Sequence, residues 1–180
     1  MSIAQTLRRR WKAFGKAEDG TATIEFAIVF PFFVFTFLSA VEMGMITYRH
    51  SMLERSLDIV VRNIRLNTGA APQHDQIKQQ ICDTAGVIPD CTNQLRLEML
   101  EVDLRTNLVI PDEVDCVDHS ESARPVRNFV NGQENEMMIL RVCAKFDPIF
   151  PTSGLGHYLE KDGAGQAALV STAAFVQEPD

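Results

Sequence analysis

The stretch EDGTATIEFAIVFPFFVFTFLSAVEMGMITY, residues 18–48, decides how the rest of the chain is interpreted. Residues 26–41 contain no charged side chain, and only Glu42 interrupts the apolar run before Tyr48. As a helix, this run of about 23 residues would extend roughly 34 Å, which exceeds the ~30 Å hydrocarbon core of a bilayer. The stretch therefore predicts one transmembrane helix over residues 21–48.

Charge on either side of this helix predicts its orientation. Residues 1–20 form a basic leader that contains Arg8, Arg9, Arg10, Lys12 and Lys16. Positive flanks favour the cytoplasmic side, so residues 49–180 would lie across the membrane. That part carries twelve Lys and Arg against twenty Asp and Glu, a net charge of −8. Such acidity disfavours nucleic acid as a partner.

The length of 180 residues allows one compact domain with an appendage. Residues 49–71 continue the helix with a one-sided apolar stripe, which should pack against the chain's own domain at residues 72–180. The stripe comprises Met52, Leu53, Leu57, Ile59, Val60 and Ile64. We therefore predict an α+β, pilin-like fold, in which a long membrane-spanning helix continues as an amphipathic helix packed on a small antiparallel sheet.

Periodicity divides the rest of the chain into one helix and three strands. The helix runs to Gly86, which is expected to close it. The strands are predicted over residues 94–106, 136–146 and 165–179, with a bulge near Leu100 where the alternation slips by one residue. Residues 107–135 are interpreted as a long excursion, and residues 147–165 as a loop.

The four cysteines all lie on the predicted exported side, where an even number favours disulfides. Three connectivities are available, and we expect Cys82–Cys91 and Cys116–Cys143. Buried free thiols are the alternative. The CDTAGVIPDC spacing lacks a second close ligand pair, so no metal site is expected.

The start of the apolar run carries a processing signal. Gly20 precedes Glu25 by five positions, and Phe26 follows directly. This arrangement, behind a basic leader, resembles the cleavage site of class III (type IV) prepilins. The resemblance implies cleavage after Gly20, which removes residues 1–20 and leaves Thr21 as the mature N-terminus.

Glu25 has a physical reason to be acidic under this interpretation, because a carboxylate in lipid is costly without a partner. Cleavage creates a positive α-amino group at Thr21, about one helical turn away. In a bundle of staggered helices, the carboxylate of one subunit can meet the amine of its neighbour in a low-dielectric core. A Glu25 that reaches the cytoplasmic headgroups is the alternative.

Motifs along the chain resemble TadE-like proteins, which are pseudopilins or minor pilins of tight-adherence (Flp) pilus systems. They are the TATIEFAIVFPFF start, Glu42 with Gly44, the YR pair at 48–49, the MILRVCAKF strand and the terminal AAFVQEP. Of the family's RNEPF-like ending only Glu178 and Pro179 remain, so assignment to TadE or TadF stays open.

The resemblance implies a location in the bacterial inner membrane, with a cytoplasmic N-terminus and a periplasmic domain; whether the chain enters the pilus is left open. The implied partners are a prepilin peptidase, other pilins, inner-membrane pilus assembly proteins and membrane lipid. No enzymatic activity and no cofactor are expected, since no nucleophile, base or metal set converges.

Two further residues of the span are candidates for helix assembly. Pro31 removes one helical hydrogen bond and should bend the axis, although membrane helices also tolerate proline without a special role. Glu42 is a second acid in the span, which could pair with a partner subunit or reach the outer headgroups. The acidic residues Asp112, Glu113, Asp115 and Asp118 are interpreted as a solvated loop.

Two other functions remain as alternatives. An uncleaved single-span adaptor with an exported binding domain would treat Gly20 as dispensable. A pseudopilin of a type II secretion system would share the cleavage site.

Overall fold

The computed structural model describes residues 21–66, 72–103, 110–120 and 129–179. The leader, residues 1–20, lies outside the described residues. The fold is α+β, as predicted: a long apolar helix is followed by a small three-stranded antiparallel sheet. The elements in chain order are α1 (Thr21–Leu66), α2 (His74–Ala85), α3 (Cys91–Gln94), β1 (Leu95–Val102), β2 (Met137–Phe146), α4 (Gly154–Tyr158) and β3 (Ala167–Val176).

Helix α1 is a single uninterrupted helix of 46 residues that continues through Pro31. Its second half packs on the domain, which confirms the predicted stripe except that Met52 is only partly buried and Ile59 is exposed. Ile59 is 39% exposed, because it follows Leu57 by two residues and is therefore rotated about 200° away from it. The buried residues of this half are Arg49, Leu53, Ser56, Leu57, Val60, Val61 and Ile64.

The sheet has the order β1-β2-β3 and is antiparallel throughout. One face packs against α1 and α2. Since side chains alternate along a strand, this inner face takes every second residue of each strand. Its buried residues include Leu95, Leu97, Met99, Met138, Leu140, Val142, Leu169 and Phe175, which meet Ile77 and Ile81 of α2 in one core.

The bulge predicted near Leu100 is wrong. Strands β1 and β2 pair residue for residue from Leu95 opposite Ala144 to Val102 opposite Met137. Leu100 belongs to the outer face of the sheet, together with Arg96 and Glu98. Because Leu100 is hydrophobic although it lies on that half-covered face, the alternation of apolar residues in the sequence looks as if it shifts by one residue.

Helix α2 ends as predicted. Gly86 takes a left-handed conformation with φ +54°, and its N–H donates to the carbonyl of Cys82 at 3.2 Å. Glycine adopts this conformation without a side-chain penalty. The segment predicted as a loop between β2 and β3 contains the short helix α4.

Candidate functional site: the apolar helix and the loop that holds it

The first half of α1 makes no core of its own. Every residue from Ala22 to Phe33 is exposed, including the aromatic ones. Phe26 and Phe30 stack on each other with ring centroids 4.8 Å apart, but both remain exposed. The helix is long and apolar enough to cross a membrane, and none of its most apolar stretch is buried. An apolar surface on all sides fits lipid or neighbouring helices better than water.

The predicted processing residues lie at the start of this exposed half. Thr21 is the first residue described in α1, and Glu25 and Phe26 are exposed on its first turns. Gly20 lies outside the described residues. Thr21 and Glu25 are four residues apart on one helix, so their backbones are separated by about 6 Å along the axis.

Glu42 differs from Glu25 in its surroundings, although both are acids of the predicted span. Its side chain is fully buried. The carboxylate accepts the backbone N–H of Ile149 at 3.1 Å and that of Phe150 at 2.9 Å. Both predicted alternatives for Glu42, a partner subunit and the outer headgroups, are therefore wrong, because the chain's own loop surrounds this carboxylate.

We call residues 147–161 the helix-clasping loop. Arg49 holds its start: the guanidinium donates to the carbonyl of Asp147 at 3.5 Å and lies 5.3 Å from the ring centre of Phe146. The Asp147 carboxylate also accepts the Gln166 amide at 3.3 Å. Arg49 is only 9% exposed, so its charge is partly removed from water, and the carbonyl and the ring are the neighbours that stabilise it.

The middle of the loop contains two tightly packed glycines, of which Gly154 lies against α1 and Gly156 lies against the loop's own backbone. Gly154 has φ +56°, and a Cβ added there would lie 2.7 Å from the Ser39 hydroxyl. A Cβ on Gly156 would lie 2.4 Å from the carbonyl oxygen of Phe150. Only glycine permits both approaches. The sequence predicted only a loop over residues 147–165, and the close packing of Gly154 on Ser39 was not predicted from it.

Lys161 binds the backbone of the loop at its end. Its ammonium donates to the carbonyls of Pro151 at 3.1 Å and His157 at 3.4 Å, and also to that of Gly156. A single cation thus satisfies three backbone oxygens of the loop. Neighbouring Lys145 pairs with Asp162 at 2.8 Å, in a contact that is about 10% exposed on the lysine side.

Burial and hydrogen bonding act on Asp162 in opposite directions. Burial disfavours its charged form, but the bonds from Lys145 and from the backbone N–H groups of Gln166 and Ala164 outweigh it. The pKa of Asp162 therefore lies below its ordinary value of 3.8.

The cysteines pair as expected. Cys82–Cys91 joins α2 to α3, and Cys116–Cys143 joins the segment 110–120 to β2. The second bond holds that segment on the outer face of the sheet.

The outer face also contains charged pairs that the sequence did not reveal. Arg96 donates to both oxygens of Asp115 at 2.9 and 3.0 Å, and Glu98 pairs with Arg141 across the strands. The interpretation of the acidic segment as a solvated loop is thus wrong for Asp115, whose side chain is 9% exposed. Charges at alternate strand positions in LRLEM were the available signal.

These features define a class of protein: one long helix with an exposed apolar half, clasped by a disulfide-bonded α+β domain. Residues 20–62 match the family model of the TadE-like proteins, which confirms the predicted resemblance over that part of the chain. The match runs from Gly20 through the exposed half of α1 and most of its packed half. No curated protein and no solved structure matches the chain.

Proposed function

We propose that this chain is a TadE-like pseudopilin, or minor pilin, that acts in the biogenesis of Flp/Tad-type pili. The observation that carries the proposal is the coincidence of the TadE-like match with α1. The match begins at Gly20, directly before a helix that is apolar and exposed over its first half and packed on its domain over the second. A helix of this kind serves assembly through contact with lipid and with other helices.

In this proposal the chain is inserted in the bacterial inner membrane, with its N-terminus in the cytoplasm and its domain in the periplasm. The basic leader supports this orientation. The two disulfides support an oxidising compartment for the domain. The partners are a prepilin peptidase, other pilins and inner-membrane pilus assembly proteins.

The two acids of the span have different roles in this proposal. Glu42 is used within the chain, since its carboxylate is occupied by two backbone N–H groups. Glu25 is exposed and is therefore the acid available to another subunit. Cleavage after Gly20 would supply the positive α-amino group that compensates its desolvation.

The test combines processing and pilus formation in cells that contain the prepilin peptidase. The mass of the purified protein should correspond to a start at Thr21, and Gly20→Ala should block cleavage. Gly44→Ala is the matched control, because a Cβ at Gly44 meets nothing within 4 Å. An intact residue 1–20 segment in functional protein would refute the proposal in favour of an uncleaved adaptor.

Pilus formation separates the remaining alternative. Glu25→Ala should leave cleavage largely intact but strongly reduce the number of Flp pili on the surface. Glu54→Ala is the control, since Glu54 is an exposed acid of the same helix that pairs only loosely with His50 at 3.6 Å. If deletion of this protein leaves piliation normal but makes type II secretion defective, the protein is a secretion pseudopilin instead.

A further inference from the structure

We infer that the helix-clasping loop is also a membrane contact: it rests in the outer lipid interface with Ile149 and Tyr158 among the lipid headgroups. The loop would then fix the height and tilt of the domain above the bilayer. This inference rests on the membrane insertion proposed above and adds a second contact to it, made by a segment about a hundred residues from the span.

The position of the loop along α1 is the first argument. A helix rises about 1.5 Å per residue, so the 20 steps from Ala22 to Glu42 cover roughly 30 Å, the thickness of the hydrocarbon core. The loop contacts α1 at Ser39 and Glu42. If the inner boundary lies at Glu25 instead, the outer boundary moves to about residue 45 and the loop lies deeper.

The composition of the loop is the second argument. Residues 148–158, PIFPTSGLGHY, include no Lys, Arg, Asp or Glu. Ile149 is 41% exposed and Tyr158 is 78% exposed. A tyrosine with an exposed ring and a polar hydroxyl is typical of the membrane–water interface.

The hydrogen bonding of the loop is the third argument. Near lipid, backbone polar groups need partners within the protein. Two loop N–H groups are accepted by Glu42, and three loop carbonyls accept from Lys161. Two charged side chains are thus used to satisfy backbone groups of the loop, which suits a loop beside lipid better than one surrounded by water.

The far end of the domain has a different character. Arg65 pairs there with Glu178 at 2.8 Å, and both side chains are about half exposed. Arg65 lies 23 residues beyond Glu42 on the same helix, or about 35 Å further along the axis. Val176 lies at the end of β3, two residues before Glu178, and is 49% exposed. It is therefore an exposed position at the far end of the domain, which should stay far from lipid.

The experiment measures the depth of a single tryptophan. The chain has one Trp, Trp11, so Trp11→Phe provides a background for Tyr158→Trp and, as control, Val176→Trp. The full chain is reconstituted in vesicles of phosphatidylethanolamine and phosphatidylglycerol, with and without lipids brominated near the headgroup. Circular dichroism and non-reducing mass analysis check that both variants keep the fold and the disulfides.

We expect brominated lipid to remove about half or more of the emission of the Tyr158→Trp variant, because interfacial side chains lie 5–10 Å into the headgroup boundary. Emission of the Val176→Trp variant should not change. The quenching should persist when the protein is diluted in lipid. Unquenched emission at residue 158 in protein that floats with the vesicles would overturn the inference but leave the anchor intact.

Two other outcomes are equally decisive. If emission at residue 158 is unquenched and is blue-shifted only at high protein density, a second copy of the chain covers the loop and the lipid contact is wrong. If the protein fails to float with vesicles, the membrane insertion itself is wrong, and the inference falls with it.

Discussion

Replacement of Glu42 by alanine should loosen the domain from its helix. The carboxylate is fully buried and accepts two backbone N–H groups, from Ile149 at 3.1 Å and Phe150 at 2.9 Å. A hydrogen bond to a charged acceptor contributes about 1.5–3 kcal/mol to stability. Because the loop is only partly buried, we take the lower end for each bond and expect Glu42→Ala to cost about 3 kcal/mol.

Amide hydrogen exchange of the full chain in detergent micelles measures this effect directly. A loss of 3 kcal/mol should speed exchange at the amides of Ile149 and Phe150 by about a hundredfold. The melting temperature of the domain should fall by roughly 10 °C if the loop opens together with the core. Glu42→Gln keeps one acceptor oxygen and should lose less than Glu42→Ala.

Glu54→Ala is the matched control, since its side chain is 54% exposed. It should change stability by less than about 0.5 kcal/mol. Equal exchange rates at Ile149 and Phe150 in the wild type and in Glu42→Ala would refute the reasoning. So would a Glu54→Ala variant that is destabilised as much as Glu42→Ala.

Three other predictions concern the domain. The lowered pKa of Asp162 means that its contribution to stability is complete above pH 3.8 and is lost as the pH falls through the folded-state pKa. Asp162→Asn should cost about 3 kcal/mol near neutral pH, and it should weaken the loss of stability at acidic pH that urea unfolding measures in the wild type; an unchanged loss at acidic pH would contradict this. Loss of Cys116–Cys143 through a double serine variant should cost about 3 kcal/mol in urea unfolding, more than loss of Cys82–Cys91, because its loop spans 27 residues rather than 9; the reverse order would be incompatible with the loop-entropy argument. Gly154→Ala should be destabilised more than Gly165→Ala, since both have positive φ but only the first brings its Cβ within 2.7 Å of Ser39; Ser39→Ala should partly rescue it, and failure of that rescue would exclude the close contact as the cause.

Sequence periodicity was sufficient to predict those helices and strands that depend on residues close to one another in the chain. The all-round apolar run up to Val41 and the one-sided stripe after it define one helix, which the structure shows as Thr21–Leu66. The Gly86 stop and the three strands follow from equally short-range patterns. The error at Leu100 has the same origin, because alternation reports hydrophobicity and not the face that a neighbouring segment covers.

The sequence by itself thus determined that the chain has an apolar helix, an acid near its start and a small α+β domain with four cysteines. Only the tertiary structure decided which acid is buried within the chain and which is exposed for contact with another molecule. Glu25 and Glu42 both interrupt apolar sequence, yet Glu42 is buried under a loop 107 residues away and Glu25 is exposed. The partner of a buried charge depends on backbone groups brought close by folding, and no pattern within a few residues of that charge encodes them.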